Sequence, residues 1–293
     1  MKKRNLYLIL LCIVTIAAIC YGTFIHVGKP FMDISDGSFS FVYGSEGNDK
    51  TQEKINAFSS AKISLSGADV VLSSGDGYSL TYVGEKSRFP AYSVENSVLT
   101  VTDPATGDKP TGVLTVTIPE SLTDFDKLNV SAFGDTVWNI RQKMAVKTIN
   151  FNSENGDMIF DTGKPLAVDT MTLNSANGDI NFEAGDTLSV NTATITSGNG
   201  DIYAHYLSCK NSEMISKNGD ISISTADDLS QYTFHLKDGY GDISIGDGLY
   251  DGSLSSGSEI TVGKGGKTMT LRSDNGDITV EKEKQDGRRR DIT

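Results

Sequence analysis

Asn155-Gly156-Asp157-Met158 decides the fold of this chain, because the chain repeats it. The copies are Asn177-Gly178-Asp179-Ile180, Asn199-Gly200-Asp201-Ile202, Asn218-Gly219-Asp220-Ile221, Tyr240-Gly241-Asp242-Ile243 and Asn275-Gly276-Asp277-Ile278, with Phe133-Gly134-Asp135-Thr136 ahead of them. From Gly134 onward the glycines are 22, 22, 22, 19, 22 and 35 residues apart. A fixed period in this range is the signature of stacked structural repeats.

The side chains around each turn repeat as well. Five residues before each glycine stand Phe151, Leu173, Ile195, Met214, Leu236 and Leu271; seven before stand Ile149, Met171, Ala193, Ser212, Phe234 and Met269. Four residues after it come Phe160, Phe182, Ala204, Ile223, Ile245 and Val280. Apolar residues at every second position mean strands with one buried face. A further pair lies twelve and ten residues before the glycine: Met144/Val146, Leu166/Val168, Leu188/Val190 and Leu207/Cys209. Each repeat therefore reads as three short strands. Asn-Gly is also a hairpin signal, so a β-meander or sandwich competes. Three strands per copy would send alternate turns of a meander to opposite edges, whereas a β-solenoid keeps every copy in one environment. The expected fold is all-β, a β-solenoid of roughly 22-residue three-strand coils. Serines three residues before each glycine (Ser131, Ser153, Ser175, Ser197, Ser216, Ser273) and the corner asparagines should then bond up and down the stack.

The ends depart from the period. The 35-residue step contains Asp251 to Lys267, rich in Gly and Ser, expected to bulge out or form a partial coil. In the first copy Leu128 and Val130 fall one position out of place, as a terminal cap would. Upstream, Ile63/Leu65, Val70/Leu72 and Leu80/Tyr82 alternate, and Ala68-Asp69-Val70 reads as a degenerate corner three periods before Gly134. Val98–Val101 and Val113–Pro119 read as two more strands, the second closed by Pro119, which has no N–H to donate.

Lys2, Lys3 and Arg4 precede an uncharged, largely apolar run from Asn5 to Val27. Such a run is long enough to span a bilayer, with the basic end on the cytoplasmic side. The expectation is a single-pass cell-membrane protein whose C-terminal domain is extracellular; a cleaved secreted form is the rival. The chain then divides into a signal-anchor at 1–27, a polar stalk at 28–58, the repeat solenoid at 59–281 and a basic tail at 282–293. Outside the anchor Cys209 is alone, in a slot held elsewhere by Val146, Val168 and Val190, so it reads as a small core hydrophobe. The formal charge of −12 becomes −15 for residues 5–293, which disfavours nucleic acid as a partner. Within the tail, Arg288, Arg289 and Arg290 are candidate contacts to anionic wall polymer or headgroups.

From about Ala61 to Val280 the chain resembles the bacterial putative-adhesin family, exported β-strand-repeat domains of unknown function. The resemblance rests on Ile63-Ser64-Leu65 followed by Asp69-Val70-Val71-Leu72, on Val116-Thr117-Ile118-Pro119, and on the recurring Ser-x-Asn-Gly-Asp-Ile corners. It implies a surface-displayed solenoid without catalytic residues. It also implies a second role for some relatives, as partners in envelope-stress or signalling systems.

The residues themselves offer little chemistry. His205 and His235 sit at outward positions in different coils, without a nucleophile motif. One Asp per coil lacks the second carboxylate a calcium turn needs, so it reads as a cap for corner N–H groups. No cofactor and no metal are called for. Tyr203, Tyr206, Tyr232 and Tyr240, read as outward, form a candidate sugar-stacking face. The expected function is therefore non-enzymatic: an adhesin or binding module for a surface or envelope ligand, held to the bilayer by its N-terminal helix. The alternative is a membrane-anchored structural or regulatory partner.

Overall fold

The computed structural model describes residues 30–33, 40–43, 49–104, 111–184, 187–255 and 257–283. Two units are separable, residues 1–49 and 50–293. In the first, Pro30–Asp33 and Ser40–Tyr43 pair as an antiparallel ribbon. The expected anchor at 1–27 lies outside the described residues; among those described, no helix is long and apolar enough to cross a membrane.

The second unit is all-β, and its coils carry two strands rather than three. Met144–Ser153, Leu166–Ser175, Leu188–Asn199 and Leu207–Asn218 are long; Met158–Thr162, Ile180–Ala184, Ile202–Ala204 and Ile221–Thr225 are short. The two apolar pairs read as separate strands both lie on the long strand. Between Val146 and Ile149 the inward positions are three apart, so Lys147 and Thr148 face outward in succession. The strand changes parity there and bends without ending.

Coils pair in parallel, copy onto copy. Met144, Leu166, Leu188 and Leu207 are in register, as are Phe151, Leu173, Ile195, Met214 and Leu271. All of these are buried, each contributing about 1.5–3 kcal/mol of transfer free energy. Trp138, Phe160 and Phe182 stack through the interior, with ring centroids 6.1 and 4.9 Å apart.

The corners form ladders of two kinds. Asn177, Asn199, Asn218 and Asn275 each donate from Nδ2 to Oδ1 of the asparagine in the adjacent coil, at 2.7–3.0 Å. The serines do not bond to one another. Ser153, Ser175, Ser197, Ser216 and Ser273 donate from Oγ to the glycine carbonyl of the neighbouring coil, at 2.9–3.3 Å. Ser131 is not in this column. Its corner is one residue shorter, so Ala132 takes the register position of Ser153 and Ser131 points outward. Gly200 shows why the corner needs glycine: its φ is +152°, and a Cβ there would lie 2.3 Å from the Gly178 carbonyl oxygen.

Spatial order departs from chain order once at each end. Coil 60–75 lies between coil 124–140 and coil 98–119, although 98–119 is made before 124–140. At the other end coil 267–282 fills the gap between coil 207–225 and coil 232–245. The segment expected to bulge out or form a partial coil adds one antiparallel edge strand to each sheet, Tyr250–Ser253 on Asp242–Ile245 and Glu259–Gly263 on Tyr232–Asp238. At the N-terminal end Ser79–Gly84 and Ala91–Glu95 also add antiparallel strands, the second at a sheet edge and the first one place in from it. Asp49–Lys54, placed in the stalk from sequence, is an edge strand of the short-strand sheet. The strand Gly112–Pro119 ends at its proline, as expected.

Candidate functional site

The bend in the long strands creates a broad concavity among the described residues. Because each coil bends at the same place, the bends align into a trough of about 910 Å³ on the outside of the sheet. Its floor is a register of small outward residues, Ala145, Ala167, Ser189 and Ser208. Its rim is the row of outward residues at the parity change: Asp126, Lys147, Asp169, Asn191 and Lys210. At about 4.8 Å between strands, the five steps from the strand of Lys267 to that of Asp124 span about 24 Å.

The rim charges differ in how far they are already neutralised. Lys147 Nζ lies 2.5 Å from Asp126 Oδ1, which lowers the Asp126 pKa and raises that of Lys147. Both side chains are at least half exposed, so the pair adds little stability. Asp169 accepts only an amide bond, from Asn191 Nδ2 at 2.9 Å, and Lys210 has no ion-pair partner among the described residues. The trough is closed at one end by Lys267, whose Nζ reaches Asp227 Oδ2 at 2.6 Å and Ser208 Oγ at 3.2 Å.

The four tyrosines do not share a face. Tyr232 is fully buried and donates its hydroxyl to Asp227 Oδ2 at 2.6 Å; burial, then that carboxylate, push its pKa far up. Its outward reading fails because the chain enters coil 232–245 through a 3-10 turn at Leu229–Gln231, which resets the strand's parity. Tyr203 lies on the short-strand sheet with its hydroxyl on Asp201 Oδ2, and its pKa is pushed up to about 12 by that bond first. Tyr206 occupies a corner at φ +55°. Tyr240, at 74% exposed, stands in the corner column where other coils have asparagine. Arg288, Arg289 and Arg290 lie outside the described residues. Sequence reasoning missed the trough, although its signal was there: the three-residue gap between inward positions that was read as a strand boundary.

The aspartates form a single column. In spatial order it runs Asp69, Asp135, Asp157, Asp179, Asp201, Asp220, Asp277 and Asp242, each Oδ1 accepting the backbone N–H of the next at 2.7–2.9 Å. These bonds are the capping role read from sequence, and Asp69 fills the corner assigned to it. Cys209 is buried opposite Val190 in the ladder, and burial pushes its thiol up to about 11. It is a core residue. His205 and His235 are exposed, bonded respectively to Ser224 and Thr261 hydroxyls.

A family model, Toastrack DUF4097, matches residues 58–281. The chain belongs to this family. The match covers the parallel stack and both crossovers of the Toastrack unit. No curated protein matches the chain. Among solved structures, a putative adhesin from Bacteroides fragilis is similar at 16% identity and TM-score 0.46, covering 82% of this chain and 98% of its own. A putative adhesin from Parabacteroides merdae has 16% identity and TM-score 0.41 over the same shares. A protein from Parabacteroides distasonis described as a putative lipid binding protein has 12% identity and TM-score 0.34, covering 81% and 98%.

Proposed function

We propose that this Toastrack domain is a non-enzymatic, surface-displayed binding module that seats an extended polymer in the trough. The trough itself carries the reading. It crosses six coils without interruption, and small floor residues leave it open where long side chains would fill it. A compact substrate would not need such length. The rim supplies both signs of charge with hydroxyl and amide groups between them, which suits a hydrogen-bonding chain more than a lipid tail. Phe125 is the one aromatic among the lining residues, so stacking on sugar rings contributes little. Display outside the cell rests on the apolar run at 5–27 with its basic flank.

The test is binding of the purified chain to isolated envelope polymers and to host matrix proteins, against a variant whose trough is filled. Ser189→Trp places a large side chain on the floor from an exposed position and leaves the core untouched. The expected result is saturable binding that falls at least tenfold in Ser189→Trp, with the unfolding midpoint unchanged. Binding that survives the filled trough would remove the trough from the reading; binding to none of the probes would remove the adhesive function.

A further inference from the structure

We infer that the trough selects a zwitterionic polymer, one that carries anionic groups along its chain and pendant ammonium groups, over a neutral, polyanionic or polycationic one. This rests on the trough being the binding site, and it names the class of ligand. Charge is ordered along one row of the rim. Asp126, Lys147, Asp169, Asn191, Lys210 and Lys267 stand on successive strands at the same position of the bend. Two of the cations are already matched inside the protein, Lys147 by Asp126 and Lys267 by Asp227. A carboxylate at Asp169, which accepts only the Asn191 amide, and an ammonium at Lys210 are left open. They lie two strands apart, about 10 Å. Asp124, in register with Ala145 on the floor, adds a second carboxylate on the Asp169 side and accepts only the Thr123 hydroxyl. One half of the trough is acidic and the other basic.

A uniformly charged polymer would be attracted to one half and repelled by the other. A neutral chain would leave Asp169 and Lys210 without counter-charges. A chain bearing both signs can meet each with its opposite. Asp124, Asp169 and Lys210 are all exposed, so their contacts cost little desolvation and are screened by salt. A peptide of mixed charge is less suited. The strands Met144–Ser153, Leu166–Ser175, Leu188–Asn199 and Leu207–Asn218 beneath the floor are each paired on both sides, so no free edge is open to an added strand. The alanines and serines of the floor instead admit a slender backbone whose charged groups reach the rim.

Three probes separate the classes: a poly(glycerol phosphate) bearing alanyl esters, the same polymer after mild base has removed the esters, and a deacetylated chitin oligomer as a polycation. Titrated into the purified chain at low salt, the esterified polymer should bind at least tenfold more tightly than either other probe. That advantage should vanish at about 0.5 M salt. Lys210→Gln should weaken the esterified polymer at least threefold and strengthen the chitin oligomer. Asp169→Asn should weaken the esterified polymer as much and strengthen the stripped one. Damage to the fold would not move two probes in opposite directions, and the fluorescence of buried Trp138 checks the fold independently. No binding of the esterified polymer, an affinity unchanged by ester removal, or variants that shift both charged probes the same way would overturn the inference. The binding reading fails separately: a stripped or neutral polymer that binds and is expelled by Ser189→Trp would keep the trough as the site while removing the zwitterionic class.

Discussion

The coils from 144 to 225 and the crossover at 226–282 are made of the same strands but held in different ways. In the former, each interaction is one member of a ladder: an asparagine has a like neighbour on either side, and a serine hydroxyl meets a glycine carbonyl in coil after coil. The crossover instead depends on residues that occur once. Asp227 accepts from Lys267 Nζ and Tyr232 Oη together, tying the outgoing connection to the returning coil and to the outermost one. Repetition distributes stability over neighbours. A crossover concentrates it.

The comparison breaks most sharply at the corner glycines. Gly200→Ala should cost on the order of 3 kcal/mol, since its Cβ would meet the Gly178 carbonyl 2.3 Å away and φ of +152° is hostile to alanine. Gly266, in the returning segment, faces open space, where an added Cβ would meet nothing within 4 Å, so Gly266→Ala should stay within about 0.5 kcal/mol. Urea unfolding followed through Trp138 measures both. Equal losses would mean that the corner tolerates a shift of the whole stack.

Single side chains should rank the other way. Asp227→Ala leaves Lys267 and the buried Tyr232 hydroxyl without their acceptor, in a site where the ion pair is only 26% and 20% exposed. A loss of about 2 kcal/mol is expected. Asn177→Ala removes one exposed rung, with its bonds to Asn155 Oδ1, the Glu154 carbonyl and Asn199 Nδ2, all at a surface where water can replace them, and should cost under about 1 kcal/mol. A double-mutant cycle between Asp227 and Lys267 should show coupling, while one between Asn177 and Asn218, two coils apart, should show none.

These contrasts also explain what could be read from the residues alone. The parallel stack was legible because Asn-Gly-Asp, the inward apolar positions and even the distant Asp69 repeat in sequence. The cysteine's place was legible from its valine neighbours. The crossovers were not, because a 35-residue step says that the period fails without saying which slot is skipped. Tyr232 was misread for a related reason: counting parity through a connection assumes no turn, and Leu229–Gln231 makes one. Ser131 shows the same error at smaller scale, where a corner one residue shorter moved Ala132 into the serine column. The trough was hidden by an interpretation, since a parity change and a strand end look alike in an apolar pattern.

The smallest effect separates the two ends by its sign. Asp69 and Asp135, at the N-terminal end of the aspartate column, have raised pKa values, through burial first and then the next aspartate, against the lowering effect of the N–H each accepts. A raised native pKa means that the folded state holds the proton more tightly than the unfolded one. The penalty is therefore full at neutral pH and disappears as pH falls through the native pKa and then below the ordinary 3.8. Asp69→Asn keeps an oxygen to accept the Asp135 N–H and cannot ionise, so it should stabilise the chain at pH 7 and lose that advantage near pH 3. Asp228, at the crossover, is held down to about 2 by its bonds to Ser230, then by Lys282. Its contribution is present above the unfolded pKa and lost toward pH 2, so Asp228→Asn should lower stability at pH 7 and approach the parent in acid. Urea midpoints of both variants and the parent, taken from pH 2 to 7, should give two difference curves of opposite sign that converge at low pH. Curves of the same sign would mean that the column's carboxylates are stabilised by their N–H bonds more than they are penalised by burial and by one another.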